Sequence, residues 1–341
     1  MRPFHDERPN AGMHEALAGT RDSATRRPMT ASSPEDVHAA TRGVTRLSVA
    51  VAVILIVLKA FALGASGSVS ILASLGDSAL DLIASLATFF AVRWAAAPPD
   101  DDHRFGHGKG EAMAALVQAG LIFASAVFIG WEAIQRLFDP RPVSAGWTGI
   151  VVTLVAMALT GWLVWRQSRA IRLSGSTAVA ADRAHYVSDL AANLVVLIGV
   201  ASGAYLAAPG LDAAAGLVVA VWLFWGAIGV LKGAADELLD RAASDSDRAT
   251  ITTAVLSDPR ISGLHRLRTR QSGPVMTIQM HVDMAPTLTL AEAHDILEAA
   301  EGRLLALWPR ADILIHPDPR GPLPVEGTKK AVDTPSPGAD G

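Results

Sequence analysis

Two pairs of residues able to hold a metal interrupt apolar stretches of this sequence. Asp77 and Asp81 lie within SILASLGDSALDLIASLATFF, and His185 and Asp189 within DRAHYVSDLAANLVV. Each pair is spaced i, i+4, so on a helix its two side chains share one face. Facing each other, the pairs offer three carboxylates and one imidazole, an oxygen-rich tetrahedral set suited to Zn2+ or a similar divalent transition metal. The competing assignment is a polar network that only bridges helices. Such a network leaves excess negative charge in apolar surroundings without a cation, at a cost of several kcal/mol. Lys59 can offset one carboxylate. Asn193, a turn beyond Asp189, supplies either a further oxygen or a hydrogen bond between helices.

The elements that must carry these pairs are membrane spans. The chain of 341 residues is 50% hydrophobic and 18% charged, too apolar for an ordinary soluble protein. Apolar runs predict helices over 46–67, 70–96, 111–138, 144–166, 177–205 and 211–234, each long enough to cross roughly 30 Å of hydrocarbon at about 1.5 Å per residue. Arg93, Arg104 and Lys109 flank the connection between the second and third spans, and Arg166, Arg169 and Arg172 the one between the fourth and fifth. GASGS and GAYLAAPGLD carry no basic residue, so the charge bias predicts both termini in the cytoplasm and a multi-pass protein of the plasma (inner) membrane. The second span then runs inward and the fifth outward. Asp77 and His185 each lie roughly 15 Å along their helices from the point of entry, at similar depth.

Outside the spans, residues 1–43 and 323–341 mix Pro, Ser, Gly and charge without a period and read as disordered tails. The spans and their loops occupy 44–240. Residues 241–322 change character: DSDRATITTAVLSD is helical, ISGLHRLRTRQ extended, and Ser272-Gly273-Pro274 a turn. VMTIQMHVDM alternates, with Met276, Ile278, Met280, Val282 and Met284 on one face and His281 and Asp283 on the other. Thr289 and Glu292 form a capping box for a helix reaching Trp308, and ADILIH supplies another strand. The predicted fold is thus an α-helical membrane protein with six transmembrane helices plus a C-terminal cytoplasmic α/β domain, ferredoxin-like and metallochaperone-like in its helix-strand-strand-helix-strand order.

This polar domain holds His265, His281, His294, His316 and Asp318, four of the ten histidines in the chain. A second mixed stretch, PPDDDHRFGHGKGE, puts Asp100, Asp101, Asp102, His103 and His107 in the loop between the second and third spans, composition that fits either a divalent metal or a solvated acidic loop. Some chemistries are excluded. The chain has no cysteine, which removes disulfides and thiolate ligands. It has no long basic block for nucleic acid, no Gly-rich GK[ST] loop for nucleotide, and no HExxH for an intramembrane metalloprotease, so an enzyme is not expected.

The stretches GSVSILASLGDSALDLIASL, DDDHRFGHGKGEAMAAL, ADRAHYVSDLAANL, LLDRA, GLHRLRTRQSG, IQMHVDM, AEAHDILE and DILIHPDP resemble a cation diffusion facilitator of the bacterial zinc and iron efflux type, over about residues 45–325. The resemblance implies a homodimer in the lipid bilayer that exchanges cytoplasmic Zn2+, or Fe2+, Cd2+, Co2+ or Mn2+, for protons. It implies that Asp77, Asp81, His185 and Asp189 are the transport site, and Asp100, His103 and His107 a loop site. It also implies an ion pair between Lys109 and Asp240. In the cytoplasmic domain it implies two Zn2+ ions with a regulatory or structural role, one held by His265, His281 and Asp318 and the other by His294, His316 and Asp318. Pro317 departs from relatives that carry a polar residue there. A membrane-embedded metal sensor that signals without translocating ions is the alternative from another class.

Overall fold

The structure is a computed structural model that describes residues 34–66, 69–139, 147–201 and 211–320. The helices α1 (Pro34–Ser66), α2 (Val69–Ala95), α3 (Gly110–Phe138), α4 (Trp147–Ser174), α5 (Thr177–Ala201) and α6 (Leu211–Leu238) are all long and apolar enough to cross a membrane. Their packing inverts the soluble pattern. Phe61, Phe128, Trp131, Trp165 and Trp225 face outward, whereas Ser48, Ser78, Ser85, Thr88, Gln118, Gln167 and Asp182 are buried. Lipid tails are as apolar as leucine, so what holds such helices together is close approach of small residues and shared hydrogen bonds. The pairing of α3 with α6 is the most extensive. There a Cβ at Gly216 would stand 3.0 Å from that of Ala133, and Ala126 and Ala227 are buried nearby in the same seam.

Two span boundaries differ from the sequence reading. First, α1 begins at Pro34 and not near 46, so residues 34–43 are helical; the rest of both tails lies outside the described residues. Hydropathy marks where the bilayer begins, not where the helix does. Pro34 followed by Glu35 and Asp36 is the usual start of a helix that extends beyond the apolar zone. Second, Arg166, Arg169 and Arg172 do not sit in a loop but on the last turns of α4, where cations suit the negative helix end. Only Gly175 and Ser176 separate α4 from α5, and Gly175 takes φ +67°, the left-handed turn that ends many helices.

The C-terminal domain comprises α7 (Asp245–Leu256), β1 (Gly263–Ser272), β2 (Val275–Met284), α8 (Leu290–Leu307) and β3 (Asp312–Pro319). The sheet order is β1-β2-β3, antiparallel between the first two and parallel between the last two, with α8 as the crossover. Ile278, Met280, Val282 and Met284 face a core completed by Ile251, Val255, Ile296, Ala300 and Leu304. The capping box at Thr289 and Glu292 is formed as read. Register then aligns the polar face: His265 lies opposite His281, His281 beside His316, and Asp283 beside Asp318.

Candidate metal centres

Antiparallel α2 and α5 bring Asp81, His185 and Asp189 together, with one ligand atom from each within 4.8 Å of the others. His185 Nε2 stands 3.3 Å from Asp81 Oδ1 and 3.9 Å from Asp189 Oδ2. All of this is nearly closed to solvent, yet His185 Nδ1 and Asp189 Oδ2 have no hydrogen-bond partner among the described residues. Asp77 is not gathered in: it lies one turn along α2 and is exposed. Lys59 donates to the Ser74 carbonyl at 3.0 Å and to Ser78 Oγ at 2.6 Å, without a hydrogen bond to a carboxylate among the described residues. Asn193 donates to the Asp189 carbonyl of its own helix, not across to another.

The loop between α2 and α3 folds Asp100, His103 and His107 into a second cluster. One Asp100 oxygen is 3.2 Å from His103 Nδ1 and the other 3.2 Å from His107 Nε2, so the carboxylate spans two rings whose centroids are 4.5 Å apart. His107 is buried against Trp94, and its Nδ1 has no hydrogen-bond partner among the described residues. The backbone N–H of His103 is the main influence holding the Asp100 carboxyl below its usual range. Asp101 pairs with Arg104 at 2.9 Å, and Asp102 stays outside.

On the sheet, Asp318 is the hub. Its Oδ2 lies 3.0 Å from both His265 Nε2 and His281 Nδ1, and its Oδ1 lies 3.2 Å from His316 Nε2. Burial would raise the Asp318 carboxyl, but the hydrogen bond from His281 and the nearby His316 and His265 rings outweigh it and hold the carboxyl low. His294 is exposed on α8 and does not join its expected partners within this chain. The helix is where the capping box predicts; the face it turns to the sheet carries Ile296, Ala300 and Leu304 instead. Asp283, absent from the predicted set, stands 3.7 Å from His265. A β-bulge between His265 and Arg268, with Arg266 at φ +52°, aims His265 at this cluster. Lys109 Nζ meets Asp240 Oδ1 at 3.0 Å, tying the start of α3 to the end of α6.

Residues 45–239 match the cation efflux transmembrane domain, and 243–320 the cytoplasmic domain of cation efflux proteins. The chain belongs to the cation efflux family. Among similar proteins, the cation-efflux pump FieF of Cronobacter sakazakii is 42% identical over 277 residues, 80% of this chain and 91% of that one. FieF of Escherichia fergusonii is 41% identical over 280 residues, 82% and 93% of the two chains, and FieF of Citrobacter koseri 41% over 293, 84% and 97%. Membership in the cation efflux family makes this a dimeric, membrane-embedded transporter of divalent metal cations and not an enzyme. The clusters above are its candidate ligands for those ions.

One buried polar layer was missed in the sequence. Asp182, one turn before His185, is fully buried: its Oδ2 accepts from Ser48 Oγ and Gln167 Nε2, each at 2.8 Å, and its Oδ1 from Gln118 Nε2 at 3.3 Å. Gln118 also donates to Thr88 Oγ1 at 2.9 Å, and Ser85 shares a 2.7 Å hydrogen bond with Tyr186. This layer crosses α1 to α5 on the side of the intramembrane cluster nearer the C-terminal domain. It gives this cation efflux protein a hydrogen-bonded floor beneath its buried ligands. The available signal was Gln118, Gln167 and Asp182 lying inside apolar runs, without a shared spacing to link them.

Proposed function

We propose that this chain exports Zn2+ from the cytoplasm in exchange for protons, through a transport site of Asp77, Asp81, His185 and Asp189. The supporting observation is a buried imidazole between two carboxylates, with unpartnered donor atoms and, among the described residues, no cationic side chain bonded to them. Such a site is costly when empty and ionised. Protons and a divalent cation are alternative ways to neutralise it, so arrival of one releases the other. Asp77, on the same face of α2 one turn away, completes the four-donor shell when the helices close on an ion. Alternating access then requires α2 and α5 to open toward the C-terminal-domain side, breaking the Asp182 layer, and to reclose.

Zn2+ is the assigned cargo because one imidazole and three carboxylates suit a tetrahedral shell; Fe2+, Co2+, Mn2+ and Cd2+ are the competitors. Asp100, His103 and His107 form a loop site near the cytoplasmic mouth. The two-ion centre of the C-terminal domain has a regulatory or structural role: His265, His281 and Asp318 hold one ion, and His316 and Asp318 with His294 the other once that helix face is brought in. The protein works as a homodimer in the lipid bilayer of the plasma (inner) membrane, with both termini cytoplasmic. Purified protein in liposomes should move zinc when a proton gradient is imposed and collapse the gradient in step. Zinc binding without flux would replace this reading with a membrane-embedded metal sensor.

A further inference from the structure

The end of α6 holds a buried carboxylate that the transport reading leaves unused. Glu237 is buried where α6 leaves the membrane bundle, and each of its oxygens accepts a hydrogen bond from a different part of the molecule. Oε2 accepts from Thr177 Oγ1 at 2.6 Å, at the first residue of α5. Oε1 accepts from the backbone N–H of Gly273 at 2.7 Å, at the tip of the β1–β2 hairpin. One side chain therefore joins the helix that carries His185 and Asp189 to the hairpin that carries His265 and His281.

The hairpin tip is fixed on its other side as well. Gly273 has φ +54°, and a Cβ there would lie 3.1 Å from the Gly108 carbonyl oxygen. A Cβ at Gly108 would strike Ser272 within 2.8 Å of its side chain and backbone carbonyl carbon. The tip is thus wedged against the loop residue that follows His107, while Pro274 lines a cleft with Glu111, Ser174 and Ser176. Glu111 grips the same end of α5 from α3, accepting from Ser176 Oγ at 2.6 Å. Packed against glycine on one face and hydrogen-bonded on the other, the tip has little room to move alone.

We propose that Glu237 is the positioning residue through which occupancy of the C-terminal cluster sets the pose of α5, and with it the spacing of His185 and Asp189 from α2. This rests on the reading of that cluster as regulatory. Metal binding there draws His265 and His281 onto one ion, which tilts their hairpin, and Glu237 transmits the tilt as a displacement of Thr177. The bridge needs acceptors for two neutral donors, Gly273 N–H and Thr177 O–H. A glutamine can serve: its carbonyl accepts from Gly273 and its amide engages the threonine hydroxyl.

The test uses full-length protein in liposomes, reading initial zinc uptake against zinc concentration for wild type, Glu237→Ala, Glu237→Gln, His281→Ala and the double variant Glu237→Ala/His281→Ala. Glu237→Ala should lower kcat by roughly fivefold, a usual size for coupling between sites, with KM for zinc nearly unchanged. Glu237→Gln should restore most of the rate. His281→Ala should slow the wild type but have no further effect on Glu237→Ala, because residues that act through one link are not additive. Losses that multiply in the double variant, or a glutamine variant as slow as the alanine one, overturn the bridge and leave the regulatory reading standing. If His281→Ala alone transports like wild type, the regulatory reading fails, and the bridge falls with it. Dimer elution of each variant confirms assembly, and the glutamine arm decides the matter if the alanine variant does not assemble.

Discussion

The intramembrane cluster and the sheet cluster use the same side chains in opposite settings. Asp81, His185 and Asp189 come from two helices, sit almost entirely out of solvent, and rest on a floor of buried hydrogen bonds around Asp182. His265, His281, His316 and Asp318 come from three neighbouring strands, with Asp318 about one-third exposed. Burial makes uncompensated charge in the first cluster costly, which on the proposed transport reading ties its occupancy to helix movement. The second can equilibrate with the surrounding water without opening the membrane bundle. On the reading proposed above, the same ligands serve as a carrier in one place and as a gauge in the other, according to what encloses them.

The largest expected effect breaks the first cluster alone. Asp189→Ala should reduce zinc flux into proteoliposomes by about a hundredfold or more, beyond the cost of disturbing an outer-shell partner. The dimer should remain intact, because the substitution also removes a buried charge. Unchanged flux would sink the transport assignment. His185→Asp should next alter choice more than speed: a fourth carboxylate hardens the site, so competition assays should show Cd2+ and Mn2+ gaining on Zn2+. An unaltered ratio argues that His185 does not select the ion.

The sheet cluster should yield a smaller loss. Asp318→Ala removes the residue nearest all three imidazoles, so bound metal per chain should fall by up to two ions. Transport should drop roughly fivefold in kcat, as when the Glu237 link is cut. A loss as deep as that of Asp189→Ala would erase the distinction between carrier and gauge.

The smallest effect lies away from both clusters. Hydrogen bonds from Arg260 lower Asp258 to about 2. Since its unfolded value is about 3.9, the carboxylate stabilises the C-terminal domain above about pH 4, by on the order of 1 kcal/mol for such a pair, and that contribution is lost as pH falls toward 2. Asp258→Asn should therefore raise amide exchange in α7 and α8 near pH 5 and leave little difference near pH 2.

What was legible followed from periodicity. The i, i+4 spacing placed Asp81, His185 and Asp189 on facing helices, and alternation put His281 opposite the methionine face of β2. Resemblance supplied the pairing of Lys109 with Asp240, which spacing cannot give. Asp77 shows the limit: the period puts it on the right face of α2, but not at the depth of packing that decides burial. Asp182 was hidden because its partners Ser48, Gln118 and Gln167 come from three other helices. The bulge at Arg266 and the outward turn of His294 depend on how strands and helix settle on the shared core, a tertiary outcome with no local spelling.

The parallel register of β2 and β3 has a consequence for how the chain is made. His281 sits beside His316 and Asp283 beside Asp318 only when the last described strand docks at one offset. A slip by a single residue would turn His316 and Asp318 toward the core and push Ile313 and Ile315 outward. A metal ion captured on the sheet therefore recognises a correctly finished copy, because no half-built or misaligned one presents the same donors. An ion held by these donors would thus stabilise the properly registered strand over a slipped one.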